Sequence, residues 1–232
     1  CQGQPRDNLA DRPDMNVYRW WQIPALAVFM GVCLPQAVSA HPHIFADARL
    51  EIETSPEGRV TELRNVWRFD EVFSSSVILD FDENGDLKLD TNELAAISEM
   101  VTQSLAEFDY YVSITANGKD EEITLPEAIK VDYRDGQLLM FFAVVPKQKL
   151  MLEGKIAVGV FDPTMYAAID FVNDEDMAVT GGSPEKCARK VVRPDFDEII
   201  AQNQASLTEA FFETTESSDL SKLLATRLEL DC

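Results

Sequence analysis

Twelve consecutive residues, Asp82-Glu83-Asn84-Gly85-Asp86-Leu87-Lys88-Leu89-Asp90-Thr91-Asn92-Glu93, carry oxygen donors at the spacing of a calcium loop. Asp82, Asn84, Asp86 and Asp90 stand at loop positions 1, 3, 5 and 9, and Glu93 stands at position 12. Lys88 at position 7 would contribute its backbone carbonyl, and Leu89 at position 8 would point into the core. Calcium is a hard cation that takes six to eight oxygens, so a tight loop converging them on one point is what its chemistry requires. Position 6, where the backbone turns sharply, is Leu87 rather than glycine. Holding a non-glycine residue left-handed costs about 1–2 kcal/mol, roughly tenfold in affinity. A register starting at Asp80 puts Gly85 at position 6 but places Thr91 at position 12 and a lysine at position 9. Losing two ligating oxygens is worse than local strain, so the register from Asp82 is preferred. The alternative is an acidic turn between two helices in a chain already rich in carboxylates.

The flanking segments are the elements that would position this loop. Asp70 to Leu79 reads as a short entering helix, and Asn92 to Phe108 carries Leu94, Ile97, Val101 and Leu105 at helical spacing. Together they predict an EF-hand-like helix-loop-helix over about residues 70–108.

A second set of candidate ligands lies further upstream. From Met15, a basic residue (Arg19) precedes an apolar run that closes on Val38-Ser39-Ala40, the pattern of a secretory signal peptide cleaved after Ala40. Residues 1–14 read as an upstream extension, residues 15–40 as the signal and residues 41–232 as one periplasmic domain with no membrane anchor. Cleavage would expose His41-Pro42-His43, and these are the only two histidines of the chain. A free amine with two imidazoles suits nickel, cobalt, copper or zinc. Pro42 has no amide proton, which excludes the square-planar amino-terminal chelate, leaving the amine and ring of His41, His43 and a carboxylate such as Asp47. The alternative is an exposed, unliganded strand end.

The chain has 41 acidic and 20 basic residues, a formal net charge of −21. Phosphate repulsion argues against a nucleic-acid partner, whereas an acidic field concentrates cations or meets a basic surface. Cys1 and Cys33 fall before the cleavage point, leaving Cys187 and Cys232 as an even pair in a secreted chain, whose default is a disulfide. With both histidines at the new amino terminus, no Ser-His-Asp or Cys-His arrangement can be assembled. The ten glycines are dispersed and build no phosphate loop. A non-catalytic role is therefore expected.

Several stretches recur in order in one known family. They are His41-Pro42-His43-Ile44-Phe45-Ala46-Asp47-Ala48 after the signal, Trp67-Arg68-Phe69-Asp70-Glu71-Val72-Phe73, the calcium-like loop, Phe161-Asp162-Pro163-Thr164 and the late cysteine pair. On these the chain resembles a bacterial family of unknown function filed as the periplasmic component of an uncharacterised ABC-type transport system. Relatives of that kind are often encoded beside nickel/cobalt permeases or exporters. The resemblance implies an accessory or solute-binding role and an inner-membrane metal transporter as partner. Leu87 departs from it, since the family's loop usually has glycine there.

The remaining pattern is mostly strand. Ile44, Ala46, Ala48, Leu50 and Ile52 alternate with outward polar residues, Phe45 excepted, and a second strand over Arg59 to Phe69 follows the Pro56-Glu57-Gly58 turn. Asn117-Gly118 between Tyr110–Ala116 and Glu122–Leu125, and Asp135-Gly136 between Ala128–Tyr133 and Gln137–Val145, predict two hairpins. Lys155–Phe161, Ala167–Val172, Met177–Thr180 and Ala188–Val192 add shorter strands. Glu198–Phe212 and Leu220–Thr226 read as helices before a last strand to Cys232. Trp67, Phe69, Phe73, Phe141 and Phe142 read as core. The expected fold class is α+β: a mainly antiparallel sheet, an inserted EF-hand-like unit and a C-terminal helical tail.

Overall fold

The computed structural model describes residues 42–182, 186–195 and 222–232. Strand β1 (Ile44–Thr54) buries Ala46, Ala48, Leu50 and Ile52, the face its alternation predicts, and leaves Phe45 outside. It pairs antiparallel with β2 (Val60–Phe69) across the expected turn. β2 in turn pairs with β7 (Gln137–Pro146), whose near-continuous apolar run suits a strand with neighbours on both sides. The short strands β5 (Ile123–Thr124) and β6 (Lys130–Arg134) both pair with β7. On the far side of β1, β9 (Ala167–Asp170) and β10 (Met177–Gly181) occupy successive lengths of the same edge, both parallel to it. Gly181 and Gly182 allow that approach. Gly181 has a φ of +90°, and a Cβ on it would stand 2.2 Å from the carbonyl oxygen of Thr54.

A second sheet runs in the order β11 (Ala188–Val192), β12 (Arg227–Asp231), β8 (Lys155–Val160), β3 (Val112–Ala116) and β4 (Lys119–Asp120), all antiparallel. The two sheets share one apolar core. Leu50, Leu63, Trp67 and Leu138 of the first belong to the same buried cluster as Ile114, Val158, Leu228 and Leu230 of the second. Asn117 and Asp135, at φ +52° and +53°, each precede a left-handed glycine, so both expected turns form. The first closes only β3 onto β4, however. The chain then crosses to the other sheet, where β5 joins β7 instead of extending that hairpin.

Helices α1 (Glu71–Phe81) and α2 (Thr91–Ala106) lie on the first sheet, α1 chiefly against β7 and α2 against β6. Asp70 caps α1 by accepting from the backbone N–H of Val72 and Phe73 at 2.8 and 2.9 Å. Ser74 then fastens the helix to the sheet, accepting from the Leu138 N–H at 2.9 Å while donating to the Asp70 carbonyl. On α2, Thr102 accepts from the Ile129 N–H at 2.9 Å.

These contacts correct the α+β expectation. The protein is sheet-dominated, with two sheets and two parallel pairings on β1, and its helices are short covers of one sheet. They do not form a self-contained EF-hand, because each side of the helix pair takes its packing and its hydrogen bonds from strands. Of the expected helical tail, Glu198–Phe212 lies outside the described residues, and only residues 222–224 of Leu220–Thr226 are seen to be helical before β12 begins.

Between α2 and β3 the chain reverses through Asp109, Tyr110 and Tyr111, all left-handed at φ +48°, +52° and +62°. Tyr110 is thereby buried, with its hydroxyl donating to the Thr102 carbonyl at 3.0 Å. The expected strand start at Tyr110 moves accordingly to Val112.

Candidate calcium loop and the amino-terminal strand

The loop residues sit between the two helices. Asp82 is the C-cap of α1, and Asp90 is the N-cap of α2, accepting from the N–H of Asn92 and Glu93 at 2.7 and 3.0 Å. Asp80 lies in the last turn of α1, and Glu93 in the first turn of α2. Asp82 accepts from three backbone N–H groups, those of Gly85, Asp86 and Leu87, at 2.8, 3.1 and 2.7 Å. These charge-assisted bonds explain how Leu87 is held at φ +58° without being glycine. Asn84 and Asp86 accept from the N–H two residues on, at 3.0 and 2.9 Å.

Glu93 is the buried carboxylate of the set. One of its oxygens accepts from the Glu83 and Asn84 N–H groups at 3.0 and 3.4 Å, and the other from the Asp90 N–H at 2.7 Å. It therefore ties the start of the loop to the start of α2. The sequence-predicted donors are thus brought together on one loop, but turned toward backbone N–H groups. Among the described residues, no three His, Cys, Asp or Glu side chains converge as a metal cluster. The donor chemistry fits calcium: four carboxylates, an amide and a carbonyl are all hard oxygens.

The amino-terminal set is less complete. His41 lies outside the described residues. His43 and Ile44 donate from their backbone N–H to the Tyr166 carbonyl at 2.8 and 3.2 Å, and the His43 ring rests 4.9 Å from that of Tyr166. Asp47, the expected carboxylate ligand, is paired with Arg68 at 2.6 Å.

Cys187 and Cys232 are joined by a disulfide. They extend the β11–β12 ladder one step beyond the Ala188–Asp231 pair. Such a bond points to an oxidising, extracytoplasmic compartment. Among the described residues, no helix is long and apolar enough to cross a membrane.

Two further features lie away from the expected ligands, and only the second, a motif of the family resemblance, is marked in the sequence. A cavity of about 270 Å³ opens between β10 and β11, lined by Leu152, Ala178, Val179, Cys187 and Leu230 with Glu175 and Arg189. None of the expected metal ligands reaches it. Buried Asp162 organises the Phe161-Asp162-Pro163-Thr164 turn, accepting from Thr164 at 2.8 Å and from the Ala167 N–H at 2.9 Å. Burial and the nearby Asp162 charge push the Tyr111 phenol above its ordinary value. An Asp before Pro-Thr is a turn signal that marks Asp162, whereas nothing in Asp109-Tyr110-Tyr111 announces left-handed backbone.

A family model described as a protein of unknown function, DUF1007, matches residues 26–232. No curated protein matches the chain.

Proposed function

The chain belongs to the DUF1007 family, and from that premise we propose that it is an extracytoplasmic, non-catalytic interaction module that takes calcium in the 82–93 loop. The resemblance seen in its motifs implies a setting beside an inner-membrane nickel or cobalt transporter, with the module as accessory. The observation that carries the calcium reading is the loop's backbone. Leu87 is held left-handed at φ +58°, at a cost of about 1–2 kcal/mol, with Asp82 gripping three N–H groups to keep it there. A plain linker between two helices needs no such strain.

Electrostatics points the same way. Helix α1 ends at the negative pole of its dipole with Asp80, Asp82 and Glu83, and no basic residue lies in its last turn. A divalent cation relieves that repulsion. Asp82, Asn84, Asp86, Asp90, Glu93 and the Lys88 carbonyl would hold it, and the ion would supply charge and rigidity with no chemistry of its own. Glu93 already bridges both ends of the loop, so its engagement would stiffen the link between α1 and α2.

Calorimetry on the wild type, Glu93→Gln and Leu87→Gly tests this. Glu93→Gln should weaken calcium binding at least tenfold, and Leu87→Gly should tighten it by up to about tenfold. Unchanged binding by Glu93→Gln would remove this ligand set.

A further inference from the structure

The outer face of α1 carries two large aliphatic side chains where a surface helix is normally polar. Val72 is 83% exposed and Leu79 is 75% exposed. With Ser75 and Ser76 they fall at i, i+3, i+4 and i+7, one stripe about 10 Å long on the solvent side. The serines do not make this stripe polar. Ser75 donates its hydroxyl to the Glu71 carbonyl at 2.6 Å and Ser76 to the Phe73 carbonyl at 2.7 Å, so both are turned back onto their own helix. At the C-terminal end of the same helix stands Leu87, 68% exposed, with its N–H fixed 2.7 Å from the carboxylate of the α1 C-cap Asp82. Neither the core nor the backbone accounts for an aliphatic residue there, since the core does not use it and its conformation is strained.

Carboxylates surround this apolar surface. Residues 70–87 contain six acidic side chains and no lysine or arginine. Glu71 and Asp80 flank the stripe on α1, and Asp82, Glu83 and Asp86 continue the charge beyond its end.

We propose that the outer face of α1, with Val72 and Leu79 as its anchors, is a docking surface for a basic amphipathic helix of a partner protein. The partner's aliphatic side chains cover Val72 and Leu79, and its lysines or arginines meet the acidic rim. This deepens the reading of the chain as an interaction module and rests on it, but it does not depend on calcium.

The full-length protein is titrated with a labelled 14-residue leucine/lysine peptide whose leucines repeat at helical spacing, at about 0.15 M salt to screen loose charge attraction. Binding is followed by fluorescence anisotropy, with and without calcium. The wild type should bind, and Val72→Ser/Leu79→Ser should bind at least tenfold more weakly. Both positions are exposed, and an unchanged melting temperature shows the variant to be folded. A scrambled peptide of the same composition and one with glutamate in place of lysine should bind at least tenfold more weakly than the amphipathic one. Equal affinity of the double variant and the wild type, or equal affinity for the scrambled peptide, overturns the proposal. So does sedimentation showing a wild-type dimer that the double variant loses, because the surface would then serve a second copy. Calcium uptake is measured on the same samples. A protein that docks the peptide without taking calcium overturns the calcium reading alone, and one that takes calcium but ignores the peptide overturns the docking surface alone.

Discussion

At the residue scale, the three consecutive serines of α1 show how position overrides type. Ser74 is buried and accepts from the Leu138 N–H, the bond that joins the helix to β7. Ser75, one residue on, is exposed and bonds only its own helix. Ser74→Ala should therefore strand a buried backbone N–H and cost about 1–3 kcal/mol, while Ser75→Ala should change stability by less than about 0.5 kcal/mol. Urea denaturation of the two variants measures the difference, and equal midpoints would show that Ser74 does not hold the helix. Nothing in the run Ser74-Ser75-Ser76 distinguishes the first serine, because its distinction comes from β7, which lies more than sixty positions away. Glu93 is a similar case. Its place at the end of the loop was legible from spacing, but its grip on the Glu83 and Asn84 N–H groups appears only when the loop closes on itself.

Among the elements, the strands were legible, the short ones β8 to β11 included, but their partners and directions were not. β1 buries the side chains its period predicts, and the Asn117-Gly118 and Asp135-Gly136 turns form where those dipeptides stand. The parallel pairing of β9 and β10 with β1 has no mark in the sequence, since four or five residues carry no signal of direction or partner. Expecting neighbouring strands to pair in series also hid the split into two sheets, because β4 and β5 are separated by only Glu121 and Glu122 yet belong to different sheets. The terminal ladder β11–β12 is the element where a covalent bond matters most. The disulfide spans 45 positions of sequence, and closing such a loop stabilises by about 4 kcal/mol on the chain-entropy account. Cys187→Ser/Cys232→Ser should therefore lower the unfolding free energy by several kcal/mol. Hydrogen exchange should show β11 and β12 losing protection before β1 and β2. Finding two free thiols in protein taken from its native compartment would contradict both the bridge and the oxidising setting.

For the molecule as a whole, a formal charge of −21 makes the compact state repel itself at neutral pH, while a few carboxylates depend on staying charged. Asp176 is the clearest of these. Burial pushes its carboxyl up, but hydrogen bonds from Asn173 and the Arg49 guanidinium 3.1 Å away outweigh that and hold it below the usual range. Asp120 is held low as well, first by its bond to Lys222 at 2.7 Å and then by Thr115. A lowered folded pKa means that the unfolded chain binds the proton more readily. The stability from these groups is complete above the unfolded value of about 3.9 and disappears as pH falls through the lower folded value. Self-repulsion acts in the opposite direction, easing as the many exposed carboxylates begin to protonate. Stability should therefore hold or rise slightly between about pH 7 and 5, where only the repulsion changes, and fall below about pH 4, where the Asp176 and Asp120 contributions are lost. Arg49 lies on β1 and Asp176 immediately precedes β10, so the acid-sensitive contact also ties an edge strand to its neighbour in the first sheet. Asp176→Asn should lower stability at pH 7 and flatten the acid limb, which urea midpoints taken across about pH 3 to 7 would show. An acid limb as steep in Asp176→Asn as in the wild type would mean that another carboxylate governs it.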